Sequence, residues 1–236
     1  HQPDRASGGA TSAEPCQSMI LSRSRRFIFV HIPKTGGTAF ALAYEARAAK
    51  DDILIGDTPK ARKRAGRWKG VKTAGRVWKH STLADVVGLV TPEEIEDFQT
   101  VTMVRNPWDQ VVSYYHWLRV QGFAHPAVGI AKVQDFSGFL NHPQIQASYR
   151  MSPYGAYVRR LDGSEKPSVF IRLERYAADI APVEAHLGLS LPLPRANEGA
   201  RQRDWRVYYS EKDAEMVENL CGEDIARFGY RFDPGG

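Results

Sequence analysis

The residue pattern with the clearest chemistry is His31-Ile-Pro-Lys-Thr-Gly-Gly-Thr38. Lys34 supplies a full positive charge. Gly36 and Gly37 let backbone N–H groups come close to an anion, and Thr35 and Thr38 offer hydroxyl donors. The apolar run Arg26-Phe-Ile-Phe-Val-His-Ile32 precedes the loop and an Ala-rich segment, 39–50, follows it. The loop is therefore predicted to join a buried strand to a helix N-terminus, where the dipole favours negative charge. Such a loop suits a phosphate. It is not the nucleotide-hydrolase loop GxxxxGK[ST], because the lysine precedes the glycines and the leading Gly is missing. The plainer reading is a Gly-containing turn between strand and helix.

A second pattern is Arg105-Asn-Pro-Trp-Asp-Gln-Val-Val-Ser113-Tyr-Tyr. Arg105 closes a predicted strand, Pro107 opens a helix, and Ser113 lies in its second turn. Arginine offers a rigid fork to a phosphate and serine a hydroxyl. The plainer reading is an arginine in a surface salt bridge. A third feature is Lys79-His80-Ser-Thr82, where a histidine near neutral pKa suits a general base; a surface or capping histidine is the alternative.

The elements that must position these groups alternate. Strands are predicted over 26–32, 98–104 and 168–173. Helices are predicted over 39–50, from Ser81 or Thr82 through Leu89, from Thr91-Pro-Glu-Glu, and over 107–120, 135–141, 176–187 and 210–228. Residues 1–24 are rich in Gly, Ser, Ala and Pro and read as a disordered tail, leaving 25–236 as one domain. Alternation of this kind implies an α/β fold, a mostly parallel central sheet with helices on both faces, and ligands bound past the carboxyl ends of its strands. Both loops follow such ends.

Together these patterns resemble the superfamily of sulfotransferases that use 3′-phosphoadenosine 5′-phosphosulfate (PAPS). Strand-PKTGGT-helix is similar to its 5′-phosphosulfate loop. Strand-RNPWDQVVSYY-helix is similar to its 3′-phosphate motif, with Arg and Ser eight residues apart. The PKTGGT variant resembles the carbohydrate and bacterial branch. So does the C-terminal stretch: Leu173-Glu-Arg-Tyr, Leu187-Gly-Leu, Asn197, Tyr208-Tyr209 and Asp224-Ile-Ala-Arg-Phe-Gly-Tyr230. The likeness spans about 25–232; Asn197-Glu-Gly departs from it where relatives carry a Ser nearby. The resemblance implies a P-loop-like three-layer fold and a PAPS donor held by Lys34, Thr35, Gly36, Gly37, Thr38, Arg105 and Ser113. It implies a late basic loop over the 3′-phosphate, through Arg201 or Arg203, and a histidine base between the two motifs, best matched by His80. His31 is a rival by proximity and Glu45 the carboxylate alternative. His116 reads as structural, and Asp109 as a stabiliser of its helix start. No metal is called for, and the implied acceptor is a saccharide hydroxyl.

Composition bounds the rest. Nine Lys and Arg and no acid fall within 60–79; without them the chain of net charge +5 would be net acidic. That segment, predicted as loop with one short strand, attracts polyanions or is a solvated loop. No nucleic-acid motif accompanies it. Two cysteines, Cys16 and Cys221, make no disulfide framework, there is no Asn-x-Ser/Thr sequon, and no apolar run approaches membrane length. The chain opens on His1, which points to processing upstream. The setting implied is a bacterial cytoplasm, or the Golgi lumen if an anchor has been removed. Two other readings stay open: a nucleotide-dependent kinase of related fold, and a non-catalytic polyanion-binding module.

Overall fold

The computed structural model describes residues 17–193 and 204–235. Five strands form one sheet: β1 (Ser18–Ser22), β2 (Phe27–Val30), β3 (Ile53–Gly56), β4 (Gln99–Val104) and β5 (Val169–Arg172), in the order β3-β1-β2-β4-β5. β2, β4 and β5 run parallel, with Phe29 opposite Val101 and Val101 opposite Val169. β1 runs antiparallel to both of its neighbours, so β3 points the same way as β2. This is the expected α/β class with a mostly parallel sheet.

Among the described residues eleven helices accompany it: α1 (Gly37–Glu45), α2 (Pro59–Lys63), α3 (Pro92–Asp97), α4 (Pro107–Arg119), α5 (Pro126–Val133), α6 (Phe136–Leu140), α7 (Pro143–Met151), α8 (Tyr176–Asp179), α9 (Ala181–Leu187), α10 (Glu211–Leu220) and α11 (Gly222–Phe228). Strand side chains alternate between two cores. Ile20, Phe27, Phe29, Val101, Met103 and Ile171 pack against Phe40 and Tyr44 of α1 and Val183 of α9. Met19, Leu21, Ile28 and Val30 face the other way, onto Leu83, Val86, Ile95 and Phe98. Period-two alternation with both faces buried is what a central sheet between two layers demands. A third core, around Trp108, Val111, Tyr115, Phe139 and Val217, joins α4 to α5, α6, α7 and α10.

Several expectations are corrected. Residues 18–22 belong to the sheet rather than to a disordered tail. Met19-Ile20-Leu21 is a short apolar run that two neighbouring strands bury completely or nearly so; residues 1–16 lie outside the described ones. β3, α5 and α7 were not read from the sequence. The basic segment forms α2 and a 3-10 turn (Ala65–Arg67) in place of a short strand, because Thr58 caps Ala61 N and Pro59 opens the helix. The helix expected up to Leu89 shrinks to a 3-10 turn, Ala84–Val86. The helix expected over 39–50 begins at Gly37 and ends at Glu45. The 176–187 helix divides at Ile180, two residues before Pro182, whose missing N–H removes one bond of the run. The 210–228 helix divides at Cys221.

Candidate functional site

The loop after β2 is held in an unusual backbone path. Lys34 has φ 59 and Gly36 φ 90. A non-glycine residue held left-handed is strained by about 1–2 kcal/mol, and such strain gathers at functional sites. Gly36 needs its missing side chain, since a Cβ there would lie 2.7 Å from Leu173 Cδ1. A Cβ on Gly37 would lie 2.8 Å from His31 Nε2. Thr35 is fully buried and donates its hydroxyl to the Ile32 carbonyl at 2.9 Å. Its side chain fastens the loop, so what Thr35 has left for an anion is its backbone. Thr38 lies in the first turn of α1, where N–H groups have no acceptor within the helix.

The second motif docks on the first. Asn106 caps α4, accepting from Trp108 N at 3.0 Å, and Pro107 opens it. Arg105, 13% exposed, donates through Nε to Asp109 Oδ2 at 2.8 Å and through Nη1 to the Lys34 carbonyl at 3.2 Å. Gln110 donates to the Pro33 carbonyl at 3.1 Å and is itself held by the Tyr149 hydroxyl at 2.7 Å. The side chain of Lys34 reaches back along the same helix, its Nζ 6.0 Å from the Trp117 ring centre. Ser113, also buried, lies one turn before Trp117 on the same helical face. The cations of both motifs thus lie against α4.

His80 closes the arrangement from the other side of the loop. It is 7% exposed, and its Nδ1 sits 2.8 Å from the carbonyl of His31, the residue after β2. A carbonyl has no proton to give, so Nδ1 must carry one and the neutral ring keeps its lone pair on Nε2. Burial drives the His80 pKa down to about 4, helped by the Lys79 charge and opposed by the bond to His31. His31 is also buried, its ring centre 5.1 Å from that of His80, and neither ring nitrogen has a hydrogen-bond partner among the described residues. Burial, then the charges of His80 and Lys79, hold its pKa well below the usual range.

The structure therefore brings together Lys34, Gly36, Gly37, Arg105, His31 and His80, and it sets Glu45 apart. Glu45 is buried and accepts from Ser18 and Thr58 at 2.7 and 2.8 Å. It sits eight residues along α1 from Gly37, about 12 Å by helical rise. His116 is bonded to the Val112 carbonyl in its own helix at 2.9 Å, a structural role. Arg201 and Arg203 lie outside the described residues, as does Asn197. Sequence reasoning missed Gln110, Tyr149 and Leu173, which grip or fill the loop. Gln110 and Leu173 lay within stretches already singled out, RNPWDQ and Leu173-Glu-Arg-Tyr, whereas Tyr149 had no signal.

The sequence matches no protein-family model, and a search of curated proteins finds no match either. Among solved structures, a mouse sulfotransferase, SULT7A1, complexed with PAP is similar at 15% identity and a TM-score of 0.43, over 84% of this chain and 82% of that one. A likeness at that level decides nothing about chemistry. No helix among the described residues is long and apolar enough to cross a membrane.

Proposed function

We propose that this chain is a sulfotransferase that moves the sulfuryl group of PAPS to a hydroxyl, with a carbohydrate as acceptor. The observation that carries the reading is the bond from Arg105 to the Lys34 carbonyl, which sets two anion-binding motifs against one helix. A donor with phosphate on both its 5′ and 3′ oxygens needs two such sites, whereas a simple nucleoside triphosphatase needs one. In this reading Lys34 and the N–H groups of Gly37 and Thr38 take the 5′ end, and Arg105 with Ser113 takes the 3′-phosphate. The glycines fit the task because a side chain at either position would fill the loop.

The chemistry assigned to the residues is an in-line displacement. A bond forms from the acceptor oxygen to sulfur while the bond from sulfur to the 5′-phosphate oxygen breaks. Nε2 of His80, unprotonated at neutral pH, takes the acceptor proton. The bonding electron pair leaves on the phosphate oxygen, where Lys34 and the α1 N–H groups meet the growing charge. Preorganised donors of that kind contribute about 3 kcal/mol each. The kinase reading is less well supported. It would put Thr35 on magnesium, but that hydroxyl is buried and bonded to Ile32. The polyanion-module reading leaves the Gly-Gly loop without a purpose.

The test is transfer of labelled sulfuryl from PAPS across a panel of glycans. Wild-type protein is expected to label at least one, and Lys34→Ala and His80→Ala to label none while keeping wild-type circular dichroism. Activity with ATP and magnesium in place of PAPS would refute the proposal.

A further inference from the structure

The basic segment ends in a feature that the donor chemistry does not use. Trp78 is 36% exposed, and its backbone is held in a turn. The Trp78 backbone N–H donates to Ser81 Oγ at 2.8 Å, and the same hydroxyl donates to the Arg76 carbonyl at 2.7 Å. Ser81 N closes the turn on the Trp78 carbonyl at 3.0 Å, and Ser81 is fully buried. The indole stands edge-on to the His80 ring, centres 5.1 Å apart at 89°. The exposed Arg76 lays its guanidinium 4.5 Å from the indole centre. An open indole beside a candidate base, on a turn closed by hydrogen bonds, offers a fixed platform for an occupant.

Charge narrows that occupant. Nearby carboxylates are engaged: Asp57 pairs with Lys79 at 3.0 Å and Asp85 accepts from Thr82 N at 2.9 Å. Three cations of the segment are tied into the fold, Lys60 to the Glu45 carbonyl, Arg64 to those of Ala49 and Asp52, and Arg67 to that of Asp52, while Arg62, Lys63, Lys69 and Lys72 are exposed. Arg76 is exposed too, and its guanidinium lies over one face of the Trp78 indole. An indole face covers the C–H face of a sugar ring, and a guanidinium fork pairs with a carboxylate. We infer that Trp78 and Arg76 form an acceptor subsite for a uronic-acid saccharide, stacking one ring so that a hydroxyl of the chain reaches Nε2 of His80. This deepens the sulfotransferase reading and rests on it for the catalytic step alone.

Saccharide binding and donor binding are measured separately. The probes are unsulfated chondroitin, neutral dextran of similar length, and adenosine 3′,5′-bisphosphate, each titrated by calorimetry. Wild-type protein is expected to bind chondroitin in preference to dextran. Trp78→Ala is expected to weaken chondroitin about tenfold or more, the loss typical of a truncated aromatic anchor. Trp78→Phe should recover part of that binding, and Arg76→Ala should lower the preference for chondroitin over dextran. All three variants should bind the bisphosphate as wild type does, which also reports that the fold is intact. Chondroitin binding unchanged in both Trp78→Ala and Arg76→Ala, or no preference over dextran in the wild type, overturns the subsite. Failure of the wild type to bind the bisphosphate, with the chondroitin results as expected, removes the sulfotransferase reading and leaves the saccharide site standing.

Discussion

Replacing Arg105 by Ala tests the assignment of the 3′-phosphate. The guanidinium has five N–H donors. One bond goes to Asp109 and one to the Lys34 carbonyl, leaving three donors for a ligand. A hydrogen bond to a charged group contributes about 1.5–3 kcal/mol, so losing one such contact should weaken adenosine 3′,5′-bisphosphate by about 10- to 150-fold. The variant also takes the Arg105 cation away from Asp109, and that carboxylate, only 15% exposed, would then repel the phosphate. Adding Asp109→Asn to Arg105→Ala should therefore recover part of the loss. Adenosine 5′-phosphate lacks the group that Arg105 is assigned to hold, so its binding should change by less than about threefold, short of the energy of one such bond. Titration calorimetry of the two nucleotides against the three proteins reads all of this. Equal weakening of both nucleotides would refute the reasoning, because Arg105 would then be bracing the Lys34 loop rather than meeting a phosphate.

Four further expectations follow from other residues. With the His80 pKa near 4, the acid limb of kcat/KM should fall near pH 4 rather than at the ordinary 6.5; a limb at or above 6.5 would exclude this buried ring as the base. The same depression means that the unfolded chain binds more protons between about pH 6.5 and 4, so stability falls as pH drops through that window. His80→Gln should flatten that part of a urea-denaturation series, where buried His31 contributes in the same direction. Asp224 works oppositely: burial raises its pKa to about 7 although Tyr154 N–H bonds both its oxygens at 3.1 Å. Stability should fall as pH rises from about 4 through 7, and Asp224→Asn should be more stable than wild type at pH 8 by thermal denaturation. Gly36→Ala must place a Cβ at φ 90 against Leu173, and should lose about 1–3 kcal/mol of stability together with nucleotide binding.

Much of the site was legible because it is local. The PKTGGT loop and the RNPWDQ helix start each occupy a few consecutive residues, and the apolar runs before them fix the strands that carry them. Thr91-Pro-Glu-Glu likewise reads directly as a helix start, and the structure adds a capping box there, Thr91 and Glu94 bonding each other's backbone N–H groups. What could not be read depends on distant partners. β1 and β3 are short and would be ambiguous alone; each becomes a strand only by pairing with the other, and β1 with β2. Glu45 was a fair candidate base by its place in the chain. Ser18 and Thr58, 27 and 13 residues away, take it out of contention. The link from Arg105 to the Lys34 carbonyl crosses 71 residues and has no sequence signature at all. Trp78 looked like one residue of a charged stretch until the turn closed by Ser81 set it edge-on to His80.

The most direct measurement of the central claim is a comparison of binding to the wild-type protein by adenosine 3′,5′-bisphosphate, adenosine 5′-phosphate and ATP with magnesium. Two anion loops gripping one nucleotide predict a single site that binds the bisphosphate at least about tenfold tighter than the monophosphate, one charged contact's worth, with no need for magnesium. Equal affinity for the two adenosine phosphates, or tightest binding by magnesium ATP, would contradict it.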